Sequence, residues 1–333
     1  MVTCVELCAG GGGASLGLHA ANIISTGFDN DPKAVRTARL NALDTHLLDI
    51  FDPEAEAKIR AHQPNPDLVW ASSPCTGFSL ASAASSARKD VHNSVTTRVA
   101  ELLTALAPKV FIVENVLCAR RHPTFIAAME TLTGSYSTAW IFLDAAKMPI
   151  SVPQRRRRLF VIGVRTDAGK LDETNNALNE LVEDARKMMR SNHETTIESA
   201  IPQLKDRSVF VYPRHSTCGC VFHASGVCPT LRSVCLAHPS RSIRARDDGV
   251  VSRAVKLTPD LAARICGFPP SFMFLNERVA TSLILGNCVC PPVAHWVAQR
   301  ALRLLPLAGD GGVVGRAHIP TYRIKPVRAI SLA

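Results

Sequence analysis

The sequence predicts an α/β protein: a doubly wound, mostly parallel sheet with helices on both faces, followed by a second, smaller irregular domain. Three observations carry this. Short apolar runs alternate with helical periodicity through the first half, as repeated strand–helix units do. Gly10 to Gly13, Asp29, Cys75 and Glu114 fall at or just past the ends of those runs, where ligands sit in open parallel sheets. After Val164 the texture changes, first to a charged helical segment and then to a stretch rich in Cys, His, Pro and Arg.

In chain order, Thr3 to Cys8 reads as a strand, Gly10-Gly11-Gly12-Gly13 as a tight turn and Ala14 to Ala21 as a helix. Ile24 to Asp29 is the next strand, and Pro32 to Asn41 a helix with proline in its first turn. Asp67 to Ala71 is a strand ending just before Pro74-Cys75. A Ser/Ala-rich loop follows, Ser79 to Ala87, closed by Arg88-Lys89. Val95 to Leu106 is helical until Pro108 stops it, Val110 to Glu114 is a buried strand, Thr124 to Leu132 a helix, and Leu159 to Val164 one more strand. Asp167 to Arg190 is charged and helical. An irregular region then runs to about Arg253. Thr258 caps a helix that ends at Cys266, where Gly267-Phe268-Pro269-Pro270 breaks it. Gly286-Asn287 reads as a turn feeding a last helix, Val293 to Leu305, and the tail from Gly309 as loosely held. The organisation expected is a core of residues 1–195 completed by the C-terminal helix at 286–306, a small domain at 196–280, and a tail at 309–333.

Composition narrows the partners. The chain has 333 residues, 47% of them hydrophobic, and a net charge of +10, which favours an anionic partner with nucleic acid first. No apolar run approaches the ~20 residues of a membrane span. The N-terminus lacks a charged leader, so no signal peptide is expected. Eleven cysteines, an odd number scattered through apolar segments, suit a reducing compartment.

Several residues carry chemistry. Cys75, at a strand end beside a loop, is placed as a nucleophile able to add to an electron-poor ring carbon. The glycine turn, between a strand and a helix, lets backbone approach a ligand; with no Lys-Ser/Thr after it, a nucleoside triphosphate site is not expected. Asp29 can accept from both hydroxyls of a ribose, and Asp49-Ile50 can meet an adenine. Glu114-Asn115 puts a carboxylate and an amide at a strand terminus, where burial raises a carboxyl pKa. On an extended segment Gln154, Arg156 and Arg158 share one face, and Arg155 and Arg157 the other, so one set can clamp a phosphate or a base edge. Cys218, Cys220, Cys228 and Cys235 lie near His215, His223 and His238, but their spacing matches no usual paired zinc knuckle, and no metal is expected.

These blocks, in this order, resemble the cytosine-5 DNA methyltransferase family. The likeness rests on Glu6 to Gly13, Asp29, Asp49, Pro74-Cys75, Glu114-Asn115-Val116, Gln154-x-Arg156-x-Arg158, Leu257-Thr258 through Pro269, and Gly286-Asn287. It implies transfer of the methyl group of S-adenosyl-L-methionine to C5 of a cytosine flipped out of double-stranded DNA, through an adduct between Cys75 and C6. Glu114, Asn115, Arg156 and Arg158 would complete the catalytic set. Cofactor contacts would come from Cys8, Ala9, Gly10, Gly12, Gly13, Asp29, Asp49, Ile50, Pro74, Asn287 and Val289. DNA contacts would come from Ser79, Arg88, Lys89, Gln154 and Arg232, and the small domain would recognise the target. The resemblance further implies a monomer, a cognate restriction endonuclease as candidate partner, and a cytoplasmic place in a prokaryote or virus-infected cell (nuclear in a eukaryote), not secreted. Cys8 stands where the family usually has Phe, and Ser73 where it has the first Pro of Pro-Pro-Cys. Two other readings share these blocks: the same chemistry on tRNA, and a catalytically silent DNA-binding homologue.

Overall fold

The computed structural model describes residues 1–74, 86–150, 152–211, 220–232 and 254–309. Its main sheet begins with β1 (Thr3–Leu7), α1 (Gly13–Ala20), β2 (Ile24–Asp29), α2 (Pro32–Leu40), β3 (Thr45–Leu47), α3 (Ala55–His62) and β4 (Leu68–Ala71). It continues with α4 (Ser86–Leu106), β5 (Val110–Val116), α5 (Pro123–Glu130) and β6 (Tyr136–Asp144). The short β7 (Gln154–Arg155) follows, then β8 (Arg157–Arg165) and α6 (Leu171–Arg190). The seven-stranded order is β3-β2-β1-β4-β5-β8-β6. The first five strands are parallel, and β8 runs antiparallel to both β5 and β6.

The period-2 alternation of buried strands builds a core on each face. Cys4, Trp70, Ile112 and Phe160 face one layer with Leu18 of α1 and Leu178 of α6. Val5, Val69, Phe111 and Val161 face the other, against Ile59 of α3, Leu103 of α4 and Phe125 of α5. Most strands and helices begin and end within two residues of the sequence expectation. There are several departures, among them α3, a helix that the sequence reading did not mark. Helix α4 starts at Ser86, so Arg88 and Lys89 lie on a helix rather than in a loop. Strand β6 has no counterpart in the sequence reading; it is an edge strand of the sheet, and its Thr138, Trp140 and Phe142 are only half-buried. Gly286-Asn287 ends a helix rather than forming a turn.

The second half holds α7 (Ile197–Ala200), β9 (Ser208–Val211), β10 (Cys220–His223), β11 (Cys228–Pro229) and β12 (Val255–Lys256). Three of these strands form a small sheet in the order β10-β9-β12, while β11 pairs in parallel with β7. Helix α8 (Pro259–Ile265) is capped by Thr258, whose hydroxyl accepts from Leu261 N, as the sequence predicts. Helices α9 (Arg278–Asn287) and α10 (Pro291–Leu304) return to the main sheet, α10 packing on α1. An ion pair between Lys33 of α2 and Glu277, and the Asn41 side chain bonded to the backbone of Met273, seat α9 against the core. The expected boundary at 280 thus falls inside a helix. Among the described residues no helix is long and apolar enough to cross a membrane.

Candidate active site

Strands β1, β2 and β3 are laid down in one direction from the sheet centre and β4 and β5 in the other, so the connections reverse between β1 and β4. That reversal opens a cleft at the carboxyl ends of the strands. Cys8, Ala9, Gly10 and Gly13 line it from the end of β1, and Asp29, Asp49 and Ile50 from the ends of β2 and β3. Pro74 lines it after β4, Glu114 at the end of β5, and Asn287 and Val289 between α9 and α10. Because β8 runs opposite to β5, Arg158 enters the same cleft, with Val116 as its register partner.

The glycine turn shows why its residues are small. Gly10 has φ 60°, and a Cβ there would meet no atom within 4 Å, so its open side faces the cleft. Asp29 holds the turn: its Oδ2 accepts from Gly10 N at 2.8 Å and its Oδ1 from Asp31 N at 2.8 Å. Burial still pushes the Asp29 carboxyl above its ordinary range, against those bonds. Gly12 does not line the cleft; its φ of 95° makes it the left-handed N-cap of α1, with Leu43 packed against it. Gly13 meets the other wall, since a Cβ there would sit 2.3 Å from the Val289 carbonyl oxygen. Gly13→Ala is therefore expected to force α1 away from α10 and to destabilise by about 1–3 kcal/mol. A denaturant midpoint matching the wild type would refute that close approach.

Cys8 adopts φ 56°, in the left-handed region, and burial with Asp29 and Asp49 nearby pushes its thiol far up, keeping it neutral. Asp49 Oδ1 accepts from Phe51 N at 3.0 Å, which fixes the turn after β3. The wall also includes residues that sequence reasoning missed: Phe28, Phe51, Leu283 and Ile284. Phe28 is a strand residue with the usual apolar pattern, and α9 had no sequence signal of its own, so only the fold brings them here.

At the far end of the cleft Glu114 is 5% exposed and pairs with Arg158, Nε to Oε1 at 2.9 Å. Burial raises the Glu114 pKa, and the charges of Arg158 and then Arg156 oppose it. Asn115 does not line the cleft. Its Nδ2 donates to Ser73 Oγ at 3.0 Å and to Ser73 O at 3.2 Å, fixing the segment that leads to Pro74. Cys75 and Ser79 lie outside the described residues, as do Cys218, Cys235, His215 and His238. Of Arg88 and Lys89 only the helical backbone is described. Arg232 is exposed, just after β11.

Two assignments on the Gln-x-Arg-x-Arg segment require correction. The alternation itself holds: Arg155 pairs outward with Glu194 and Arg157 with Asp144, at 3.2 Å for the latter. Gln154, however, is 0% exposed; its amide donates to Cys266 Sγ and accepts from Leu231 N, so it cannot reach DNA. Arg156 is 2% exposed and its guanidinium donates to the carbonyls of Leu231, Gly286 and Cys288, so it holds backbone, not a base. Cys228 N donates to Pro153 O and Thr230 Oγ1 to Arg155 O, completing a seam between the small domain and the sheet.

The cleft thus holds a glycine turn and two carboxylates at one end and a buried Glu–Arg pair at the other. The model of the C-5 cytosine-specific DNA methylase family matches residues 2–303. The chain belongs to this family. Among curated relatives of this methylase, the type II methyltransferase M.HgiDI of Herpetosiphon aurantiacus is 29% identical over 303 residues, 88% of this chain and 92% of the relative. The type II methyltransferase M.HindV of Haemophilus influenzae is 28% identical over 306 residues, 89% of this chain and 95% of the relative. The methylase also shares its fold with the Dnmt2 methyltransferase of S. pombe, with TM-score 0.64, 15% identity, and coverage of 91% of this chain and 99% of that one. The EhMeth methyltransferase of Entamoeba histolytica matches with TM-score 0.64, 16% identity, and coverage of 91% of this chain and 98% of that one.

Proposed function

We propose that this methylase acts on cytosine in double-stranded DNA with S-adenosyl-L-methionine as methyl donor, and that Cys75 is its nucleophile. The observation that carries the reading is the shared cleft: the glycine turn and Asp29 at one end, Glu114 with Arg158 at the other, and Pro74 between them. The first half fits the cofactor's parts. The open side of Gly10 admits backbone close to a ligand, Asp29 and Asp49 offer carboxylates to ribose and amine, and Phe28 and Ile50 give apolar walls to a base. Bound there, S-adenosyl-L-methionine supplies an electrophilic methyl group.

The protein's own residues prepare the acceptor. The Cys75 thiolate adds to C6 of the extruded cytosine, which places electron density on C5. Glu114, favoured in its protonated form by burial, hydrogen-bonds N3 and the exocyclic amine, stabilising the charge that addition develops. Arg158 holds Glu114 in place at the end of the cleft where the base would sit. Asn115 positions Ser73, two residues before the nucleophile. Once C5 carries the methyl group, a base takes the C5 proton and the thiolate departs, which restores the ring. Extrusion costs a few kcal/mol of unstacking, roughly offset by contacts in the pocket.

The recognition role of the region at 196–280, the monomeric state, and a partner restriction endonuclease belong to the same proposal; the type II names of the relatives support the last of these. A duplex carrying 5-fluorocytosine, incubated with the protein and S-adenosyl-L-methionine, is expected to trap a covalent complex, because fluorine at C5 blocks elimination. Cys75→Ser should abolish trapping. Trapping on tRNA alone would overturn the DNA assignment, and trapping on neither nucleic acid would mean a silent binder.

A further inference from the structure

Glu6 is a carboxylate for which the chemistry above has no use. It sits mid-strand in β1, four residues before Gly10, and is 0% exposed. Neither carboxylate oxygen has a hydrogen-bond partner, and the buried hydroxyl of Ser15 has none either. The nearest donors, the Ser15 and Ser25 hydroxyls, stand close enough to act on it yet make no well-formed hydrogen bond, a costly arrangement in a central strand where an apolar residue would pack without penalty.

Its surroundings give it a role. Glu6 shares a face of β1 with Cys4, toward α1. The groups that favour its charged form are the Ser25 hydroxyl on β2 and the Ser15 hydroxyl on α1. Ser15 lies in the first turn of α1, two residues after Gly13, and that helix start has no side-chain cap. Ser25 Oγ lies 3.4 Å from His19 Nε2, at the other end of the same helix. Both ends of α1 thus lead to one carboxylate, and α1 carries the glycine turn.

We propose that Glu6 is a positioning residue for the cofactor turn: ionised, it accepts from Ser15 and Ser25 and draws the first turn of α1 onto β1; protonated, it releases that turn. The inference rests on the cleft being the cofactor site. Ionisation then couples to binding. Burial holds the carboxyl up at about 7, so both states are populated near neutrality. A ligand that prefers the seated turn lowers that pKa, and its affinity is lost as pH falls through the pKa.

The titratable groups that reach Glu6 are the Cys4 thiol, pushed well up by burial, and His19 through Ser25, whose own pKa burial lowers and Asp44 raises. On β4 its register partner is Trp70, which carries no titratable group. Asp29 in the cleft has its own raised pKa. Its contribution persists when Glu6 is replaced, so the difference between variants isolates Glu6.

The test is calorimetric titration with S-adenosylhomocysteine from pH 5.5 to 8.5. Wild-type affinity is expected to rise about tenfold across the range, the effect of a one-unit change in the Glu6 pKa between free and bound protein. Glu6→Gln should cut that rise back to whatever part Asp29 contributes, and Ser15→Ala should shrink it. The carbon-13 carboxyl shift of Glu6 in the wild-type protein gives a readout that does not depend on a variant folding. Its midpoint should move down when S-adenosylhomocysteine is added. An unmoved midpoint, or the same pH profile in Glu6→Gln, would overturn the proposal. No binding at any pH would instead overturn the cofactor reading of the cleft.

Discussion

Glu114→Gln is expected to slow methyl transfer by about 10²–10⁴-fold, the range for a positioned acid, while the protein stays folded. The change is isosteric and keeps a group able to accept from Arg158. It removes the carboxyl whose pKa burial raises, and with it the proton that this group can offer to N3. The sign of the stability effect is fixed by the direction of the shift. A carboxyl whose folded pKa lies above its ordinary value is most favourable at low pH, and that contribution is lost as pH rises through the folded pKa. The glutamine cannot ionise, so it should melt at or above the wild-type temperature at pH 8 and close to it at pH 4. Arg158→Ala should behave differently. It leaves the carboxylate buried without its partner, which costs about 3–5 kcal/mol at high pH unless the group protonates. Activity and melting of both variants across pH 4–8 decide the matter. Equal activity of Glu114→Gln and wild type would remove Glu114 from the chemistry.

Much of this cleft could be read from the chain because strand ends are written locally. An apolar run that stops at Gly10, Asp29 or Glu114 announces both the strand and the residue at its tip. What the sequence could not announce was the environment of a face. Alternation correctly put Gln154, Arg156 and Arg158 on one side of an extended segment. It could not say that this side meets β11 and the end of α9, so two polar residues suited to DNA turned out to be sealed inside. Strand β6 carries an apolar run, Ala139 to Leu143, that the sequence reading left unassigned; it lies at the sheet edge, with alternate residues half-exposed. Leu283 and Ile284 join the pocket wall only because α9 folds back across α2, a long-range contact with no local signal.

Arg156→Ala tests that correction most severely. The Arg156 guanidinium lies 2.6 Å from the Cys288 carbonyl, 3.0 Å from that of Gly286 and 3.2 Å from that of Leu231. It therefore ties three segments: the end of α9, the cofactor wall at Asn287–Val289, and the small domain after β11. Truncation would leave those acceptors without their donors in a dry site, at about 1–3 kcal/mol each before relaxation. A net loss of about 3–5 kcal/mol is expected, as for other broken buried charged contacts, and a melting temperature lower by on the order of 10 °C. Arg156→Lys should recover only part of this, since one ammonium lacks the planar fork that spans three carbonyls. S-adenosylhomocysteine affinity should fall along with stability, because Cys288 and Val289 lose their anchor beside Gly13. The catalytic assignment that the sequence suggested makes the opposite forecast: wild-type melting, wild-type cofactor affinity and lost turnover. Melting curves and one binding isotherm on Arg156→Ala separate the two, and an unchanged melting temperature would return this arginine to the base.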